Sequence, residues 1–437
     1  VIWVNKSSFI RACTACLTLL ILGGCSIISD PVSLMKTPQI SAENESLRTF
    51  ITSQLPKGAE LIRARENDNT SLIRFADLDS DGKKEVVVFY ETTDQAVPLH
   101  GSIFENQNGT WVQQFTFDAE GKILESLQIL DLTNDGSLNI IAGFSRGDGD
   151  LQNGLVVYNY NGETVDKLLE TPYTHFIMND LNSDDQNDLT IVSLKQNEYA
   201  RMTVYQFDEG FIELAKLEME PLLNHYYNVV AGNVSEGKKG IILDAASGSG
   251  SGYYYSEVIV MEENKLISVL NMDQTYKDIQ IYSEDVNSDG IIEIGILETP
   301  KGWEHVGFEE IPWFYSYYQW DGTDGMNFVR QQYHDYKNRF LLNFFPPEWH
   351  GNITLDTTSN KDEYLRFKML DTDKTIAEIK FFPQLDWEKD HSDWELLVRT
   401  SDKVIGYKSY DINLELNNNK KVEKDVAPIE RKGSQSE

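Results

Sequence analysis

Four acidic side chains alternate along Asp77-Leu78-Asp79-Ser80-Asp81-Gly82-Lys83-Lys84-Glu85, at positions 1, 3, 5 and 9 of the stretch. Alternate residues of a tight loop can all turn inward, so this spacing gathers hard oxygen donors round one cation. Gly82 at position 6 permits the sharp turn, and the position-7 carbonyl of Lys83 can add a backbone oxygen. That donor set suits calcium, which takes six to eight oxygens in a flexible shell, better than magnesium, which demands a smaller octahedron. The exit run Val86-Val87-Val88-Phe89-Tyr90 is β-branched and aromatic, so a strand leaves the loop where an EF-hand would have a helix.

The loop recurs. Asp131, Thr133, Asp135, Ser137 and Asn139 fill positions 1, 3, 5, 7 and 9 of a second copy, which leads into Ile140-Ile141-Ala142. A third carries Asp180, Asn182, Asp184, Gln186 and Asp188, and a last carries Asp285, Asn287, Asp289, Ile291 and Glu293; each runs into an apolar stretch. The copies are spaced by about 50 residues, with one double gap before Asp285, and that period is close to a propeller or solenoid unit. The double gap predicts a decayed copy at Asn233-Val234-Ser235-Glu236-Gly237, whose donors are poor: a turn retained and an ion lost. Carboxylate count predicts affinity falling in the order Asp77, Asp285, Asp180 and Asp131 loops, because attraction to a dication rises with charge. Asp185 replaces the glycine of the third loop, at a position that calls for positive φ.

A unit of this length holds about four short strands, one propeller blade. The pattern resembles the FG-GAP/VCBS repeat, the integrin-α-like blade that carries a D-x-[DN]-x-[DN]-G-x-x-[DE] calcium loop between its first two strands. The resemblance covers residues 57–337 and departs at Thr133, Asn139, Asp185 and the decayed copy. It implies a mainly β fold: a β-propeller of five motif-bearing blades, with the chain ends able to build a sixth, and structural Ca2+ in the loops.

With 437 residues, 41% of them hydrophobic, the chain can bury a large core and form two or three domains. Its formal net charge of −32 repels nucleic acid, so a nucleic-acid partner is not expected. Cys13, Cys16 and Cys25 are its three cysteines, so no disulfide or zinc framework is available beyond residue 25. Lys6 and Arg11 precede a short apolar run that ends in Leu22-Gly23-Gly24-Cys25. This resembles a bacterial lipobox. It implies a signal peptide over residues 1–24, lipidation of Cys25, a membrane anchor through that lipid, and an extracytoplasmic location.

The expected organisation continues with a tether over 25–43 and then a propeller region over 44–337 that opens with a helix. The strand Ala59-Glu60-Leu61-Ile62 is expected to close the ring by joining the last blade. A small C-terminal α+β domain follows over 338–410, with a helix from the capping box Ser392-Asp393-Trp394-Glu395 to Arg399. A polar tail over 411–437 is expected to be disordered. Asn108-Gly109, Asn161-Gly162 and Asp321-Gly322 read as hairpin turns. Alternate aromatics over 313–320 read as blade core, whereas the insertion 301–312 reads equally as packing against the next domain or as an aromatic platform for a sugar or protein. Arg146-Gly147-Asp148 reads as a polar loop, and Ser247 to Gly252 lacks the Lys-Ser/Thr pair of a phosphate-binding loop.

No nucleophile elbow and no histidine metal spacing is present, so the balance is against an enzyme. The expectation is a lipid-anchored, calcium-binding propeller acting as a binding or scaffold module for a protein or polysaccharide. The alternative is a carbohydrate-active enzyme of glycosidase type, with its site at the propeller centre.

Overall fold

Burial along the strands falls from the inside of each sheet outward. The computed structural model describes residues 42–65, 71–93, 97–146, 153–248, 252–344, 347–389, 391–410 and 415–417. Residues 1–41, Cys25 among them, lie outside these, as do 147–152 with Gly147 and Asp148. No described helix is long and apolar enough to cross a membrane. In the first four sheets the second strand is the most buried: Glu85–Glu91, Asn139–Ser145, Asp188–Lys195 and Lys238–Ser247 are covered on both faces over most of their length. The outer strands Thr110–Asp118, Val165–Tyr173 and Phe211–Met219 are largely half-buried or exposed. A strand covered on both faces lies between two other sheets, which is the environment that apolar β-branched runs satisfy.

The covering layers are the neighbouring sheets. Ile140 and Ala142 pack with Val87, Phe89 and Ile103 of the first sheet. Ile141, between them in sequence, points the other way and packs with Leu189 and Ile191 of the third. Val192 then meets Ile241 and Leu243 of the fourth sheet, and Ile242 meets Ile294 of the fifth and Ile292 of the loop before it. Side chains alternate across a strand, so each sheet feeds two cores. Consecutive antiparallel sheets of four or five strands, each packed on the next, make this a mainly β fold of propeller type. The hairpins at Asn108-Gly109, Asn161-Gly162 and Asp321-Gly322 join adjacent strands, and each of these glycines has positive φ.

The chain divides into two units. Among the described residues the smaller comprises 42–61, 90–93, 97 and 98, and it holds the helix Ala42–Gln54, which buries Leu47 and Ile51. The larger holds the rest.

Several expectations are corrected. The strand Glu60–Ile62 lies in the first sheet beside Glu85–Glu91, not in the last, so it does not close the ring as expected. Phe340–Phe344 pairs with Met326–Asp335, which carries the fifth sheet past the expected boundary at 337. Glu415–Asn417, placed in the disordered tail by composition, pairs with Phe340–Phe344. Residues 395–399 form a strand, not a helix: Leu396 pairs with Gly406 and Val398 with Ile405. A capping box satisfies only local donors, and pairing with Lys403–Ser409 outweighs it there. The helix in this region is Gln384–Lys389, which buries Trp387.

The last sheet has five antiparallel strands. Its Ile353, Leu365, Phe367 and Ile405 share a core with Phe314, Tyr333 and Leu342 of the fifth sheet, and Trp303 of the insertion lies in that core. Phe314, Tyr315, Tyr317 and Trp320 are buried, which fits the core reading of this run, but burial does not alternate there: residues 314–317 are covered on both faces.

Candidate metal centres

The four acidic loops share one hydrogen-bond scheme. The position-9 side chain folds back on the position-2 amide: Leu78 N–H donates to Glu85 Oε2 at 2.7 Å, Leu132 to Asn139 Oδ1 at 2.8 Å, Leu181 to Asp188 Oδ2 at 3.0 Å and Val286 to Glu293 Oε2 at 2.7 Å. The position-1 carboxylate accepts the position-6 amide: Gly82 to Asp77 at 3.1 Å, Gly136 to Asp131 at 3.0 Å, Asp185 to Asp180 at 3.2 Å and Gly290 to Asp285 at 2.9 Å. The position-5 carboxylate accepts the position-7 amide at 2.7–2.9 Å in each loop. The side chains at 1, 5 and 9 are therefore held in place by the loop's own N–H groups.

Two residues per loop take left-handed backbone. Position 6 does so as expected, including Asp185 at φ 66°. Position 4 does so as well, at Ser80, Asn134, Ser183 and Ser288. The sequence reading missed that second site; asparagine at 134 was the one residue whose preference could have signalled it.

The loops differ in what they bring together. Carboxylate oxygens of Asp77, Asp79 and Glu85 lie within 4.8 Å of one another, and so do those of Asp285, Asp289 and Glu293. A calcium shell places its oxygens about 2.3–2.6 Å from the ion, so either set spans no more than one shell. Asp81, expected as a ligand, is instead turned to the Lys83 ammonium at 2.7 Å, at the exposed edge of the first loop. The second loop offers only the carboxylates of Asp131 and Asp135, with Thr133 and Asn139 turned to one another and Asn139 donating to Asn159 at 3.0 Å. In the third loop Asp184 accepts from Gln206 at 2.6 Å and from Asn182 at 2.9 Å, and Asp180 meets Lys239 at 2.6 Å. No triad of Asp180, Asp184 and Asp188 is formed among the described residues.

Burial pushes the position-9 acids up, with neighbouring carboxylates adding to the effect: Glu85 and Glu293 to about 7 and Asp188 to about 6. Asp77 Oδ1, Asp131 Oδ1 and Asp188 Oδ1 are buried without a hydrogen-bond partner. An orphaned buried oxygen is costly, and a cation is one partner that relieves it. Near the first loop, Tyr160 donates to Glu105 at 2.6 Å, and its hydroxyl is pushed up by burial and then by Glu105, Asp79 and Glu85.

Register supplies partners that spacing cannot show. Gln206 lies one step beyond the Leu189–Tyr205 pair and Gln319 one step beyond Ile294–Tyr318. Each reaches back across the strands, Gln319 to Asp289 at 2.8 Å and to Glu293 at 2.7 Å.

The loops also touch in series. Ser80 donates to the Gly136 carbonyl at 2.7 Å, and Asn187 N–H to Asn134 Oδ1 at 3.2 Å. Lys239 meets Asp180, and Asn233 Nδ2 donates to the Gly290 carbonyl at 3.2 Å. The turns that lead into the inner strands of five successive sheets thus form one linked rim, and the decayed copy keeps its place in it as a plain hairpin between Leu223–Ser235 and Lys238–Ser247.

No family profile matches the chain, and no curated protein matches it. Among solved structures it is similar to Sqt1 from Chaetomium thermophilum, at 10% identity over 73% of this chain and 75% of that one, with a TM-score of 0.30. It is also similar to Sqt1 from Saccharomyces cerevisiae, at 10% identity over 75% and 84%, with a TM-score of 0.29. Likenesses this distant carry no argument, and the architecture rests on the sheets themselves.

Proposed function

We propose that the chain is a lipid-anchored, extracytoplasmic binding or scaffold module, a propeller whose acidic turns are stapled by calcium. The observation that carries the cation reading is the convergence of Asp77, Asp79 and Glu85 and of Asp285, Asp289 and Glu293, each on one point. The orphaned Asp77 Oδ1 supports it, as does the likeness of the loops to FG-GAP/VCBS repeats. Bound there, the ion would neutralise the clustered acids and stiffen the turn between two strands. Sites of this kind on extracellular modules bind at about 10⁻⁴ to 10⁻³ M. The anchor is read from Leu22-Gly23-Gly24-Cys25, and metabolic labelling with a lipid precursor tests it: a Cys25→Ser chain that still takes up label overturns it.

For the partner, the insertion offers a surface. Trp313 and Tyr336 flank a cavity of about 390 Å³ bordered by Lys337, Lys361 and Asp362, and Phe308, 43% exposed, packs on Trp313 with ring centroids 4.9 Å apart. Ring faces beside paired charges suit a sugar ring or an apolar protein side chain. Trp313→Ala lowers partner capture under this reading; unchanged capture removes the cleft from it.

The rival reading, a carbohydrate-active enzyme, needs carboxylates free of the loops. Three buried acids outside the loops are engaged, Asp244 with Lys277, Asp335 with Asn338, and Asp356 with Arg366 and Thr358, which leaves the half-buried Glu257 as the acid to substitute first. Glycan turnover abolished by substituting one acid outside the loops favours that rival over the scaffold reading.

A further inference from the structure

The third loop has as many carboxylates at positions 1, 5 and 9 as the last, yet its acids do not converge. The difference is a lysine from the next sheet. Lys239 is the second residue of the strand that leaves the decayed turn, and its ammonium lies 2.6 Å from Asp180 Oδ2. Asp180 is 14% exposed and Lys239 37%, so the contact is sheltered on the carboxylate side. Asp180 is the position-1 acid, the group that Asp77, Asp131 and Asp285 supply to the other loops. Asp77 and Asp131 each keep a buried Oδ1 with no hydrogen bond, and Asp285 Oδ1 takes the amides of Ser288 and Asp289. In the third loop, Asp180 has backbone amides on both oxygens as well as the ammonium. The other lysine on a loop acid, Lys83, is a different case: it is 69% exposed, and it holds the position-5 acid of its own loop at the surface.

We infer that Lys239 is a built-in counter-cation of the third loop. Its ammonium supplies the positive charge that a dication supplies elsewhere, so the third loop holds its shape without a divalent ion and binds one weakly. The contact ties the third blade to the fourth at the point of the rim where the decayed hairpin brings no ion of its own. The inference deepens the calcium reading and rests on it. An ammonium and a dication repel each other strongly when they share one buried carboxylate, so they compete for Asp180.

Calcium titration of the full chain by calorimetry, with native mass spectrometry for the ion count, tests this. Wild type, Lys239→Met, Lys239→Arg and the neighbouring Lys238→Met are compared. Lys239→Met is expected to bind one more calcium ion than wild type, or to bind calcium at the third loop at least tenfold tighter. It is also expected to become more dependent on calcium for thermal stability. Lys239→Arg and Lys238→Met keep the wild-type count. If wild type binds calcium and Lys239→Met binds the same number with the same affinities, the role of Lys239 is overturned while the calcium reading stands. If no variant binds calcium, both fall.

Discussion

Asp77 is buried enough for one of its oxygens to be cut off from any donor, while the other accepts the Gly82 amide. Removing its carboxylate subtracts a ligand and leaves Asp79 and Glu85 facing each other. Asp77→Ala therefore shrinks the calcium-dependent gain in unfolding free energy by about 1 kcal/mol at millimolar calcium, read by denaturant titration with and without the ion. Glu257 shows the effect of burial away from any loop. Its carboxyl is pushed up to about 7 by burial and then by Glu220. An acid raised above its unfolded value binds more protons when folded, so its contribution is complete below about 4.5 and is lost as pH rises through about 7. Glu257→Gln flattens this fall; between pH 5 and 8 the wild type loses up to roughly 2 to 3 kcal/mol that the variant keeps. At this scale the nine-residue spacing was enough to name the inward acids at positions 1 and 9. It could not name Gln206, Gln319 or Lys239, which reach the loops through strand register and the packing of one sheet beside the next.

Among the elements, the third loop carries a local conflict, a β-carbon at φ 66° on Asp185. Asp185→Gly relieves it and raises stability by about 0.5 to 1 kcal/mol, as measured by the denaturation midpoint; no change would mean that Asp185 is at ease in this turn. The fourth sheet has a different fastening. Asp244 and Lys277 are both fully buried, at 2.8 Å, and Asp244 also accepts from Ser256, Ser283 and Asn228. Lys277 donates onward to the Ile281 carbonyl at 2.6 Å, which ties the irregular crossing before the last loop to the sheet. Breaking one side of such a pair leaves a buried charge, so Lys277→Met destabilises by about 3 to 5 kcal/mol. Hairpins and central strands were readable here because turn residues and apolar runs act locally. The strand at 395–399 was not, since Leu396, Leu397 and Val398 follow a local helix-start signal and only the partner strand decides against it. Glu415–Asn417 was hidden for the same reason: its composition is polar, and its pairing is with a strand about 70 residues earlier.

Over the whole molecule, the recurring loop marks which end of each sheet joins the rim, and alternation along each second strand marks which two cores it serves. The recurrence of the loop and of the apolar run behind it is legible in the sequence; the linked rim and the two cores served by each strand come from the packing of one sheet on the next. The first strand's place is not legible in the sequence: Glu60–Ile62 has no feature that distinguishes the first sheet from the last, because either edge would hydrogen-bond it equally well. Nor does the pattern announce that the C-terminal sheet shares the fifth sheet's core through Phe314, Tyr333 and Phe367. A rim of linked acidic turns should be held together by cations and loosened without them. Thermal unfolding of the intact chain in chelator, then in 1 mM free calcium or magnesium, tests this most directly. Calcium should raise the midpoint by about 3 to 5 °C over chelator and magnesium by clearly less. A midpoint that is the same in all three would contradict the account.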